Sequence, residues 1–312
     1  MKTHRMSFVP RGEFSLAAGV RFLEGFAPVD YHGPDDAVLR LAFAVDGDWR
    51  TVGVAVRQSP DGTVMADASG EADPALLRGQ VARMLSLDVD STTFPDVVRG
   101  DEVAAGLAAR YPGLRPICFN SPWEAACWAV IGQRVRIVQA ASIRTGVSRA
   151  LGRAVDVDGV EVTSFPDPET LLAAPEIPGV PEIKVERLRG LARAALAGEL
   201  DARRIRAEGA ATSLSRLCGL PGIGPFSAEL TVIRGAGEPD HFPRNERRLH
   251  ASMGDLYGID PADTSALQRI ADRWRPFRSW VSFLHRVERE AVTGEITATN
   301  RRPSPARGSA AG

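Results

Sequence analysis

Ten residues, Leu220-Pro221-Gly222-Ile223-Gly224-Pro225-Phe226-Ser227-Ala228-Glu229, constrain this chain more than any other stretch. They join two helical patterns. One closes at Leu214–Cys218 with Gly219 as its C-cap, and the other opens at Pro225 and runs to Arg234. So tight a turn needs backbone angles that glycine reaches without strain, and Gly222 and Gly224 supply them. Ile223 between them can plug a core and hold the turn. Pro225 suits the first helical position, which leaves the amides after it without partners inside the helix. Such amides, at the positive end of the helix, attract a phosphate. A hairpin of this kind grips one nucleic-acid backbone segment without reading bases. Its candidate contacts are Gly222, Gly224, Pro225, Phe226 and Ser227. A Gly-x-Gly alone would suit any tight turn between helices; the full string is harder to explain that way.

Charge supports a binding face in the second half. Residues 1–180 hold 17 basic and 23 acidic side chains, whereas residues 181–312 hold 21 and 16. The 312 residues, 44% of them hydrophobic and 25% charged, suit a globular protein of two or three domains. No apolar run reaches the roughly 20 residues of a membrane helix, and Met1–Arg5 leads into no signal-peptide core. Cys118, Cys127 and Cys218 show no metal-ligand spacing, which argues against an iron–sulfur cluster and for reduced thiols. The expectation is a cytoplasmic monomer that reaches the nucleoid through DNA, with no membrane partner.

The pattern along the chain predicts an α+β fold: an antiparallel α+β unit first, then mainly helical domains. Residues 1–72 form the first unit, with a helix over Leu16–Phe26, strands at Val38–Val45 and Thr51–Val56 across the Asp46-Gly47-Asp48 turn, and a strand at Thr63–Ala66. Residues 73–115 read as linking helices, Ala75–Leu85 and Asp101–Tyr111, packed with the C-terminal part. Residues 116–293 hold the two helical domains with the hairpin, and 294–312 a disordered tail. Ser121-Pro122-Trp123-Glu124 is a strong helix start with a capping box. Residues 152–182 read mostly as loop.

Three further stretches accompany the hairpin: Phe14–Phe26 (FSLAAGVRFLEGF), Ser121–Gln133 (SPWEAACWAVIGQ) and Trp274–His285 (WRPFRSWVSFLH). With Leu220–Arg234 they resemble, in order, the HhH-GPD base-excision DNA glycosylases, and within them the bacterial 3-methyladenine DNA glycosylase branch. The resemblance runs from about residue 8 to 292. It implies an active cleft between the two helical domains and, as partner, double-stranded DNA containing damaged bases.

The resemblance also implies a chemistry. The enzyme flips the damaged nucleotide into a pocket, and an aromatic lining favours a purine made cationic by alkylation. Phe226 stands where the family carries a pocket tryptophan; Trp123, Trp128 and Trp280 are further aromatic candidates, with core packing as their plainer reading. A family aspartate after the hairpin's second helix serves as the catalytic carboxylate. Counted from the hairpin, its place is Glu246, one methylene longer, flanked by Arg244, Arg247 and Arg248, with Asp240 in reserve. That change leaves open a protein of the same shape that binds damage without cutting. Strand-cutting members use a lysine where this chain has Phe226, so a monofunctional enzyme follows. The corner Gln133-Arg134 takes the place of the wedge that fills the hole left by the flipped base. No cofactor is required, and a monovalent cation is allowed at the Leu220 and Gly222 carbonyls. His285, on an apolar helix, reads as a core histidine.

Overall fold

The computed structural model describes residues 3–24 and 38–295. Gly25 and Phe26 of the expected first helix, and the tail from Ile296, lie outside the described residues.

Alternating patterns and turn residues give four strands: β1 (Thr3–Phe8), β2 (Leu39–Ala44), β3 (Thr51–Gln58) and β4 (Val64–Ser69). They pair antiparallel in the order β1-β4-β3-β2. Helices α1 (Leu16–Glu24) and α2 (Pro74–Met84) cover one face, with Leu16, Leu23, Leu77, Val81 and Met84 in the same core as Phe43, Val54 and Val56. This corrects the expected division: α2 belongs to the sheet's core, not to the linking helices. Its apolar face packs on the sheet beside α1.

The loop expected over 152–182 hides a hairpin, β5 (Ala154–Val157) with β6 (Val160–Thr163), and the short helix α7 (Pro168–Ala173). The β5–β6 hairpin lies on the other side of the sheet, where Val157 packs with Val38 and Ala55. Its Asp158 pairs with Arg40 and Arg57. Cover on both faces explains why β3, TVGVAV, is a nearly unbroken apolar run.

Helices fill the rest. Between the sheet unit and the hairpin come α3 (Phe94–Arg99), α4 (Glu102–Arg110), α5 (Pro122–Ile131), α6 (Ile137–Leu151), α8 (Glu182–Leu196), α9 (Ala202–Glu208) and α10 (Ala210–Leu217). The chain then continues through α11 (Pro225–Leu230), α12 (Arg247–Tyr257), α13 (Thr264–Ala271) and α14 (Arg278–Thr293). Two cores result. Trp123, Cys127, Ile131, Leu171, Leu188, Leu217 and Ile223 build one. Val98, Ala104, Phe242, Leu249, Met253, Leu267, Trp274 and Val281 build the other. Helices α3 and α4 join the C-terminal core through Val98 and Ala104. His285 is fully buried there beside Trp274 and Tyr257, and Ser252 meets its Nδ1 at 3.2 Å. At the start of α5, Ser121 accepts from the Glu124 amide at 3.0 Å. The Glu124 carboxylate does not close the capping box; it accepts from Asn120 and from Arg144 instead.

One buried cluster ties the sheet unit to the helices. Arg83 of α2 donates to the carbonyls of Phe119, Asn120 and Gly235 and lies 3.4 Å from Asp46. Burial lifts the Asp46 carboxyl to about 7, with Arg83 opposing. The folded chain therefore holds this proton more tightly than the unfolded chain, whose ordinary value is 3.8. The group's contribution to stability is complete below that value, falls as pH rises toward 7, and then levels off. Asp46→Asn is expected to flatten this decline in melting curves recorded from pH 4 to pH 8. An unchanged slope would show that Asp46 ionises freely in the folded protein.

Candidate active site and DNA-binding face

The hairpin forms as a connection between α10 and α11. Gly222 takes φ +79°, the left-handed region; Gly224 is extended at φ −97° and caps α11. Only Gly222 therefore uses glycine's conformational freedom, whereas Gly224 matters for what it lacks. A Cβ there would meet nothing within 4 Å, so the bare backbone faces outward. Ile223 is buried in the first helical core and pins the turn. The first α11 amide to bond inside the helix turn is that of Ala228, to Gly224 O at 2.9 Å. The Phe226 and Ser227 amides precede it. Phe226 itself is 44% exposed, high for a large apolar side chain, and Ser227 is buried.

The corner between α5 and α6 is bolted to this turn. Gln133 donates to the Gly222 carbonyl at 2.6 Å and accepts from Arg187 at 2.7 Å. The Lys184 ammonium donates to the carbonyls of Ile131 and Gln133, both at 2.8 Å. Gln133, expected as a DNA contact, thus has its amide committed to holding the face together. Arg134 beside it is exposed, at φ +57°. The carbonyls named for a monovalent cation each accept a hydrogen bond already, Gly222 from Gln133 and Leu220 from the Ile223 amide. Each keeps one lone pair for an ion, and no step below runs through one.

Hairpin and corner form one wall of a cavity of about 750 Å³. The other wall is the start of α12 and one face of α14, and α1 closes an edge with Arg21 and Phe22. Phe226, Trp128, Gln133 and Glu246 all line it. Trp123 and Trp280 do not. Trp123 is buried in the first core, its indole N–H donating to Pro166 O at 3.1 Å. Trp280 packs against Phe94 and Phe277, with ring centres 5.7 and 5.4 Å away. Periodicity could not separate these cases, because α5 is buried almost all round and offers no single inward face.

Glu246 is the N-cap of α12. Its Oε1 accepts from the Arg248 amide at 3.0 Å, and its Oε2 lies 3.7 Å from Arg286 Nε. The side chain folds back over its own helix start, which takes up reach that the extra methylene adds. Asp240 is no reserve: its carboxylate is bound by Arg278 at 2.7 Å and faces Arg275. Of the flanking arginines, Arg248 lines the cavity and pairs with Glu295, Arg244 donates to Gln268, and Arg247 is exposed.

Glu229, unremarked in the sequence, holds the loop before Glu246 in place. It is buried, lines the cavity, and accepts from the Arg244 and Asn245 amides at 2.9 and 3.0 Å. Burial works to raise this carboxyl. The His241 ring 3.6 Å away and the two amides outweigh it, and the group titrates below its ordinary value. The chain beyond α11 runs as a π-helix over Thr231–Gly235, with the Ala236 amide reaching Thr231 O, where a continued α-helix was expected. Such bulges often mark functional sites; this one sets Ile233 and Arg234 on the cavity wall. Along α14, Ser279, Ser282, Phe283, Arg286, Val287 and Glu290 line the cavity at helical spacing. Two serines and two charges on one face of a packed helix were the available signal. Burial lowers the Arg286 guanidinium from its ordinary value, with Glu246 opposing.

No family model matches the chain. Several curated relatives do. DNA-3-methyladenine glycosylase of Bacillus subtilis is 27% identical over 203 residues, 63% of this chain and 67% of that protein. DNA-3-methyladenine glycosylase 2 of Escherichia coli is 29% identical over 290 residues, 90% of this chain and 95% of that one. Among solved structures, the 3-methyladenine DNA-glycosylase from Archaeoglobus fulgidus superposes with a TM-score of 0.75 at 20% identity, over 92% of this chain and 99% of its own. A sequence relation that spans nine-tenths of the chain, on a shared fold, agrees with what the hairpin and cleft suggest: the chain is similar to DNA-3-methyladenine glycosylases, in line with its resemblance to the HhH-GPD base-excision DNA glycosylases.

Proposed function

We propose that this glycosylase is monofunctional and hydrolyses the N-glycosidic bond of alkylated purines in duplex DNA, the lesion class for which its relatives are named. One observation carries the reading: the exposed aromatic at the hairpin apex, Phe226, and the Glu246 carboxylate line the same cavity. A hairpin that holds the backbone beside such a cavity can keep a flipped nucleotide there, at a cost of a few kcal/mol of unstacking that is least for a damaged base.

The bond to the base then lengthens and its electron pair moves onto the base nitrogen. Positive charge develops on the sugar, and the Glu246 carboxylate offsets it. Water adds its oxygen to C1′ and gives up a proton, which Glu246 accepts and passes to solvent. The products are an abasic sugar and the free base. The two lysines of the chain also support a hydrolytic rather than a Schiff-base route. Lys184 is bound to two carbonyls, and Lys2 lies outside the described residues. Incubation with methylated duplex DNA is expected to release methylated purine and leave the strand intact until alkali cuts it. Strand cleavage without alkali, through an intermediate trapped by borohydride, would contradict the monofunctional route.

A further inference from the structure

Arg286 takes no part in the scheme above, yet it stands in the cavity opposite the Glu246 carboxylate. We infer that Arg286 sets the lesion range: as a fixed positive charge it disfavours a formally cationic base and assists excision of neutral alkylated purines. The inference rests on the glycosylase reading and refines it.

Three observations lead there. First, four arginines line the cavity against three glutamates, and two of those glutamates already have partners. Glu229 is committed to two backbone amides, and Glu246 faces Arg286 itself. Second, two of the aromatic rings are already used by a cation. The Arg234 guanidinium lies 5.0 Å from the ring centre of Phe283 and 5.7 Å from that of Phe22. An aromatic pocket favours a cationic base through such faces, and here an arginine holds them.

Third, the leaving group decides who needs help. A cationic purine takes the glycosidic electron pair and departs neutral. A neutral purine takes the same pair and departs as an anion, which water then protonates. Hydroxide from water has by then gone to C1′, so one water is consumed in all. A guanidinium beside the departing base stabilises the anion and does nothing useful for the neutral leaving group.

The test is single-turnover excision from two duplexes that differ only in the lesion: cationic 7-methylguanine or neutral 1,N6-ethenoadenine. In Arg286→Gln the ratio of rates is expected to move toward the cationic lesion by roughly tenfold to a hundredfold, the size of one charge acting over the width of a base. Arg286→Lys retains the charge and is expected to stay near the wild-type ratio. An unchanged ratio in Arg286→Gln, with both rates falling together, would mean that Arg286 only packs the wall and would overturn the inference. Should the wild type excise neither base, the glycosylase reading fails, and the lesion range is read from equilibrium binding of the same duplexes. A preference for ethenoadenine that disappears in Arg286→Gln then supports the inference, and an unaltered preference overturns it.

Discussion

Glu246→Gln is expected to excise methylated purines about a hundredfold to a thousandfold more slowly than the wild type while binding the same duplex with similar affinity. The magnitude is that of removing one fixed electrostatic partner of a developing charge. Glutamine keeps the size of the side chain, and its amide oxygen can still accept from the Arg248 amide, so the α12 cap survives. Arg286 loses the anion 3.7 Å away, but it lines an open cavity where water can solvate it. Stability is therefore expected to change little, and the loss should appear in the chemical step. Single-turnover rates and fluorescence-anisotropy binding curves check the two halves separately. Equal rates for variant and wild type would remove Glu246 from the chemistry.

The second large effect lies in the hairpin, and two glycines a residue apart separate its causes. Gly222→Ala puts a side chain at φ +79°, which costs about 1–2 kcal/mol, and sets its Cβ 2.6 Å from Arg187 Cδ. Arg187 must move, and with it the support it gives Gln133. A fall in Tm of a few degrees is expected, along with weaker DNA binding. Gly224→Ala has an ordinary φ of −97° and open space for its methyl group. It is expected to leave Tm unchanged, yet to weaken binding about tenfold, because the methyl occupies the bare face where a phosphate would approach the α11 amides. Titrations of both variants against duplex DNA at two salt concentrations, with melting curves alongside, test this. Undiminished affinity in Gly224→Ala would mean that DNA does not approach the hairpin from that side.

What could be read from the residues alone follows a physical line. Many helices announced themselves within a residue or two because caps, prolines and period are local: Ser121-Pro122 opens α5, and Gly258 in the left-handed region closes α12, whereas the short α3 and α9 were not read. The β5–β6 hairpin escaped because its four-residue strands depend on the sheet they cover, a contact more than 90 residues away in sequence. β1 escaped similarly, since it gains its place by pairing with β4. The candidate site divides the same way. Phe226 and Glu246 came from the family resemblance, carried along one contiguous string, and both line the cavity. Phe22 from α1, Arg234 from the π-helix and Arg286 from α14 meet only in the folded chain. Trp123 and Trp280 took the plainer of their two readings, core packing, which sequence could not separate from a cleft-facing position.

The hairpin amides and the Glu246 cavity are expected to act on a single nucleotide. A structure with a duplex carrying a stable abasic analogue measures that directly. The expected result places a backbone phosphate on the Phe226 and Ser227 amides, with the flipped sugar in the cavity, in reach of the Glu246 carboxylate directly or through one water. DNA lying on another surface, or bound at the hairpin with the sugar still stacked in the helix, would contradict it.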